Sequence, residues 1–131
     1  LINLGENHSV GELIDNCLAK NRGRTIKILN ENIFTNEDCI LIIRTFLNKS
    51  KRILKLAIEY RRSNNINQTL LTAKPPIFWK DKEIIKQQLS KWTPENIKKL
   101  IYKLNEIELL LKKNINNSTN LIRDFILQYS S

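Results

Sequence analysis

The chain is poor in the residues that build strand-and-turn folds and catalytic centres, with three glycines and one histidine among 131 residues. Few glycines argue against a fold rich in tight turns, because glycine adopts turn conformations at no steric cost. No glycine-rich phosphate loop and no GK[ST] sequence occurs, so nucleotide hydrolysis is not expected. His8 lies in a stretch without periodicity, where a metal site or an activated nucleophile is not expected. We therefore predict no catalytic site, no metal and no cofactor.

Long apolar runs are also absent. No run approaches the roughly 18 residues that a membrane span needs, and no basic-then-apolar leader opens the chain. Cys17 and Cys39 lack CxxC spacing and lie in helical contexts, so we expect reduced, buried thiols in a cytoplasmic protein. The first residue is Leu1 rather than methionine, and we expect an excised C-terminal piece or a processed chain.

Positive charge is in excess, because 22 Lys and Arg against 13 Asp and Glu leave a net charge of +9. A charge of this size attracts polyanions at low salt but carries no sequence specificity. Lysine, asparagine and isoleucine are all abundant, a pattern typical of an AT-rich genome. The excess of lysine can therefore reflect the base composition of the genome as well as a function in binding polyanions.

Apolar residues recur at helical spacing along most of the chain, and no run alternates as a strand should. Ser9 and Thr35 stand at capping positions, and Pro94 suits the first position of a helix. We predict an all-α fold, a compact bundle of about six helices over residues 9–131, preceded by a linker or the end of another domain over residues 1–8. Helices are expected at about 10–20, 24–30, 36–62, 67–73, 82–91, 94–113 and from 118 to near the C-terminus.

The long helix over residues 36–62 carries an apolar stripe, which we expect to be buried from Ile40 to Ile58. Basic residues recur on another side at spacings of seven, four and seven: Arg44, Lys51, Lys55 and Arg62. Such a stripe is either a solvated helix face or a surface for an anionic partner, in which case weak non-specific DNA binding is expected.

All three prolines and both tryptophans lie between residues 74 and 95. Pro75 and Pro76 exclude a continuous helix, so the main change of direction is predicted there. We expect Phe78 and Trp79 to be buried as a plug at this structural turn, to which Trp92 also belongs. Stacking on nucleic-acid bases is the alternative role for these aromatic rings.

The helix over residues 94–113 has more apolar positions than one packing seam needs. Ile97, Leu104 and Leu111 form the seam, whereas Leu109 and Leu110 lie off it. Surplus apolar surface on a small domain often marks a partner site, so these two leucines are a candidate subunit interface.

Three segments, with their order and spacing, carry a resemblance to a known family: Pro75-Pro76-Ile77-Phe78-Trp79-Lys80, then Leu89-Ser90-Lys91-Trp92-Thr93, then Glu106-Ile107-Glu108-Leu109-Leu110-Leu111-Lys112. Together they resemble the C-terminal collar domain of the delta subunit of the bacterial DNA polymerase III clamp loader. Members of that family commonly show a PPxFF(K/R) turn, a (R/K)WS or LS step and an (A/T)ExxLK helix. Asn105 departs from the last of these patterns. The segments at residues 13–18 and 40–46 are similar to two further helices of the family.

The resemblance implies an all-helical collar module, part of the DNA polymerase III holoenzyme and not itself an ATPase. In such loaders three ATPase copies, delta and delta-prime form a hetero-pentamer through their C-terminal domains, and an N-terminal part of delta, absent here, binds the sliding clamp. Residues 1–8 would then end the lid domain. The alternative from another class is a stand-alone basic helical nucleic-acid-binding module that uses the basic stripe. No membrane partner is expected under either interpretation.

Overall fold

The fold is all-α, as the sequence predicts, in a computed structural model that describes residues 2–3 (backbone only), 9–113 and 116–131. Ile2–Asn3 (β1) and Asn32–Ile33 (β2) pair in parallel over two residues each, too short a pairing for sequence periodicity to reveal. The helices are α1 (Val10–Leu18), α2 (Arg22–Glu31), α3 (Asn36–Ser63), α4 (Ile66–Leu71), α5 (Lys82–Lys91), α6 (Pro94–Lys113) and α7 (Ser118–Tyr129), with a 3-10 turn at Trp79–Asp81.

Capping residues begin three of the helices, α1, α3 and α6, at the positions that the sequence predicts. Thr35 Oγ1 accepts from the Asp38 N–H at 3.3 Å while the Asp38 carboxylate accepts from the Thr35 N–H at 2.8 Å, a complete capping box for α3. Ser9 Oγ accepts from the Glu12 N–H at 2.9 Å at the start of α1. Thr93 Oγ1 caps α6 through the Asn96 N–H at 3.1 Å. These bonds satisfy N–H groups that have no partner within a helix, which is why the helices start there.

The long helix α3 is the centre of the bundle, and α1, α4, α5, α6 and α7 all pack against it. Its longest contact is with α6. Ion pairs mark both ends of that contact: Arg61 meets Glu95 at 2.8 Å, and Arg44 lies 3.9 Å from Glu108. The C-terminal end of α3 therefore meets the N-terminal end of α6, and the N-terminal half of α3 meets the C-terminal half of α6. The two helices run antiparallel.

The core is one continuous cluster that draws on every α-helix. Phe46 of α3 is fully buried and meets Phe125 of α7 edge to face, with ring centroids 5.9 Å apart. The predicted burial of Cys17 and Cys39 is confirmed, and both are free thiols. Within the described ranges, no helix combines the length and apolarity needed to cross a membrane.

The apolar stripe of α3 is buried, but its predicted edges are wrong. Ile40 and Ile58 are 44% and 49% exposed. Each follows a fully or largely buried residue, Cys39 and Ala57, by one position, which is about 100° around a helix. That rotation carries both isoleucines past the packing face, so the stripe of α3 is narrower than its apolar residues suggest.

The prediction that Phe78 and Trp79 plug the core is also wrong, because both rings are 75% exposed. Ile77 is the residue that turns inward here, at 8% exposure. Phe78 has polyproline-II dihedrals, φ −58° and ψ 139°, a geometry in which successive side chains lie about 120° apart around the chain axis. Burying Ile77 therefore directs Phe78 outward, and the 3-10 turn that follows presents Trp79 to solvent.

Trp92 takes the core position instead. Its ring is 7% exposed and lies 6.3 Å from the Tyr129 ring in a stacked arrangement. The indole Nε1 donates to the Leu18 carbonyl at 2.7 Å, which satisfies its polar atom. Lys20 Nζ lies 4.2 Å from the ring centroid and donates to the Tyr129 carbonyl at 2.8 Å. Burial lowers the pKa of Lys20, an effect that the nearby Cys17 thiol partly opposes.

Candidate functional site

A groove of about 1050 Å³ runs along the C-terminal half of α3, between that helix and the chain that follows it. Its floor includes Leu56, and α4 and the proline turn form the opposite wall with Leu71, Ala73, Pro75 and Pro76. We call it the basic groove because five cationic side chains line it: Lys51, Arg52, Lys55, Arg62 and Lys74.

Charge in the basic groove is unbalanced. The lining has one carboxylate, Glu59, and Arg62 already binds it through two hydrogen bonds of 3.1 and 2.6 Å. Those bonds hold the pKa of Glu59 below its usual range, so Glu59 stays ionised and keeps Arg62 neutralised. Within the described ranges the other four cations of the groove make no ion pair: Lys51, Arg52, Lys55 and Lys74. Lys51, Lys55 and Lys74 are exposed, so their charge is available to an anionic ligand, whereas Arg52 is half-buried and also borders a small cavity with Asp15 and Asp81.

The four residues of the predicted basic stripe are all exposed, yet the structure divides them. Lys51, Lys55 and Arg62 line the basic groove, whereas Arg44 is not among its lining residues and lies near Glu108 on α6. Two further cations join the groove without having been predicted, Arg52 from α3 and Lys74 from the proline turn. Helical spacing cannot detect Lys74, because only the tertiary fold brings that segment back to α3.

The exposed aromatic turn, Phe78 and Trp79, is a separate feature. Neither ring lines the basic groove. Lys80 Nζ lies 5.6 Å from the Trp79 ring centroid, within the range of a cation–π contact. Two adjacent rings of this size in water are unusual, since large aromatics are usually well buried.

The outward side of α6 is the second candidate surface. The outer face of α6, as we call it, comprises Tyr102, Leu109 and Leu110, which are 66%, 57% and 51% exposed. Leu109 follows Tyr102 by seven residues, about two helical turns, so both lie on one side of the helix. The packing of α6 is mainly against α3, which leaves this side uncovered. The predicted surplus of apolar surface is thus present in the folded chain.

Reactive chemistry has little support in the described residues. Over residues 9–113 and 116–131 no group of three or more His, Cys, Asp or Glu side chains is arranged to hold a metal ion. His8 lies outside the described residues. Burial raises the pKa of the Cys17 thiol to about 12, and burial with the adjacent Asp38 carboxylate raises that of Cys39 to about 11. Both thiols are therefore protonated at neutral pH and poorly nucleophilic.

Comparison of the chain with protein-family models, with curated proteins and with solved structures finds no match. The case for a function therefore depends on the fold, the two surfaces and the sequence segments described above.

Proposed function

We propose that this chain is an assembly module, the collar domain of a clamp-loader delta subunit, which joins the other loader subunits in a hetero-pentamer that loads the sliding clamp in DNA replication. The uncovered outer face of α6 carries the proposal. Leu109 and Leu110 lie in the segment that resembles the family's (A/T)ExxLK helix, and both are more than half exposed. Exposed leucines side by side on a helix suit burial against another subunit.

The fold is compatible with this role, because a helical bundle with its own continuous core offers rigid helix faces for packing against neighbours. Segments that resemble the family's other motifs lie in the proline turn and at the end of α5. Contact with the sliding clamp is assigned by the resemblance to another part of such a subunit, and ATP hydrolysis to other subunits. We accordingly propose no enzymatic activity for this chain itself, and a cytoplasmic location.

Reconstitution tests the proposal. The chain is mixed with a purified loader ATPase subunit and delta-prime, and the mixture is separated by size-exclusion chromatography with light scattering. We expect the chain to co-elute with both in one complex. A parallel mixture with full-length delta from the same loader is the positive control. If full-length delta assembles and the chain elutes on its own, the proposal is contradicted.

The second candidate function, a basic nucleic-acid-binding module, is favoured by the unpaired cations of the basic groove. Exposed cations are screened within about 8 Å at physiological salt. We therefore expect weak binding to primed DNA, with a dissociation constant of about 10⁻⁴ to 10⁻⁶ M.

Changing Lys51 and Lys55 together to glutamate is expected to weaken that DNA binding by a similar factor for every sequence, because phosphate contacts carry no base information. Fluorescence anisotropy with several labelled duplexes at a series of salt concentrations measures it. The matched control changes Lys98 and Lys99 to glutamate, because both are exposed lysines of α6 outside the groove. Sequence-selective or tight binding by the parent chain would instead favour the nucleic-acid-binding module over the assembly module.

A further inference from the structure

We propose that the basic groove binds a short acidic peptide segment of a partner protein, in which apolar side chains alternate with or flank carboxylates. The proposal concerns a different surface from the outer face of α6 and does not depend on the assembly role. It follows from three properties of the groove: its shape, the composition of its lining and its charge.

The groove is large and open along one side of α3. Its volume of about 1050 Å³ is slightly above the roughly 300–1000 Å³ typical of small-molecule sites. The lining comes from two different elements, the helix α3 and the proline turn with the end of α4. A cleft between two such elements suits an extended or helical peptide segment.

Part of the lining is apolar. Leu56, 6% exposed, forms part of the floor, and Leu71, 74% exposed, projects from the end of α4. Pro75 and Pro76 add apolar ring surface to the same wall. An occupant with leucine-like or similar side chains would cover Leu71, whose exposure is otherwise unfavourable.

The charge of the occupant follows from the cations that no carboxylate neutralises. Lys51 and Lys55 belong to α3 and Lys74 to the proline turn, so exposed cations from both elements line the groove. Carboxylates on a peptide can meet these cations while its apolar side chains enter the groove. Charge complementarity of this kind selects partners and speeds association.

A single-stranded nucleic acid fits this lining less well. Proteins that bind such strands combine a cationic groove with aromatic rings on which bases stack. The described residues that line the groove include no aromatic side chain, and the exposed rings of Phe78 and Trp79 lie outside it. Aliphatic walls favour peptide side chains over bases.

Titration of a fluorescein-labelled peptide in which glutamates alternate with leucines tests the proposal, with anisotropy as the readout. Reversal of Lys51 and Lys55 to glutamate is expected to weaken peptide binding about tenfold or more, and Leu71→Ser about fivefold. Reversal of Lys98 and Lys99 makes the same change in net charge outside the groove and should have little effect. Circular dichroism of each variant verifies that the helical content is unchanged.

Three outcomes would overturn the proposal. If a peptide with serine in place of every leucine binds equally well, the interaction depends on net charge alone and the apolar lining plays no part. Equal weakening by the two charge reversals would show that the groove is not the site. The third outcome concerns oligothymidylate. If changing Lys51 and Lys55 to glutamate weakens its binding more than that of the peptide, and Leu71→Ser affects neither, the groove is a nucleic-acid site instead.

Discussion

Replacement of Trp92 with alanine is expected to lower the free energy of unfolding by about 3–5 kcal/mol, the range for truncating a large aromatic residue in a core. The ring is 7% exposed and stacks on Tyr129, so its removal leaves a cavity between α5 and α7. The Leu18 carbonyl also loses its hydrogen bond from the indole. Urea unfolding followed by circular dichroism measures the change.

Trp79→Ala provides the matched control, because it removes the same side chain from a position that is 75% exposed. Surface substitutions of this kind usually change stability by less than about 0.5 kcal/mol. We therefore expect the urea midpoint of the Trp79 variant to match that of the parent. Equal midpoints for the Trp92 variant and the parent, or a large loss of stability in the Trp79 variant, would contradict the assignment of Trp92 as the core residue.

The largest expected effect on assembly is that of Leu110→Lys. Leu110 is 51% exposed on the outer face of α6, so a lysine there keeps the helix folded and remains in water in the free chain. In the proposed complex the same position is buried, and an unpaired charge would have to be desolvated. We expect incorporation into the reconstituted loader to weaken by about tenfold or more, as at an interface hot spot.

Leu41→Lys is the control for that experiment, since it places a lysine at another exposed leucine, one on α3 that belongs neither to the basic groove nor to the outer face of α6. Its assembly should match that of the parent chain. Loss of helicity in the Leu110 variant would make Leu110 a folding residue rather than an interface residue. Normal assembly of a well-folded Leu110 variant would place the subunit interface on another face of the bundle.

Several helix boundaries are readable from local sequence alone. Thr35 and Asp38 complete a capping box within four consecutive residues, and α3 starts at Asn36, directly after Thr35. Pro94 supplies the first residue of α6 with Thr93 as its cap. Such signals depend on atoms close together in the chain, so no knowledge of the rest of the fold is needed. By contrast, α2 begins at Arg22 and includes Gly23, two residues before the start at residue 24 that the sequence predicts.

What the sequence determined by itself is therefore the all-α class, the main helices and the excess of apolar residues on α6. The tertiary structure alone decided which tryptophan is buried, because Trp79 and Trp92 are the same residue type and the choice depends on which of them meets α1 and α7. It also decided that Lys74 lines the same groove as Lys51 and Lys55. Helical spacing describes a single helix, whereas a groove is formed by residues distant in sequence that packing brings together.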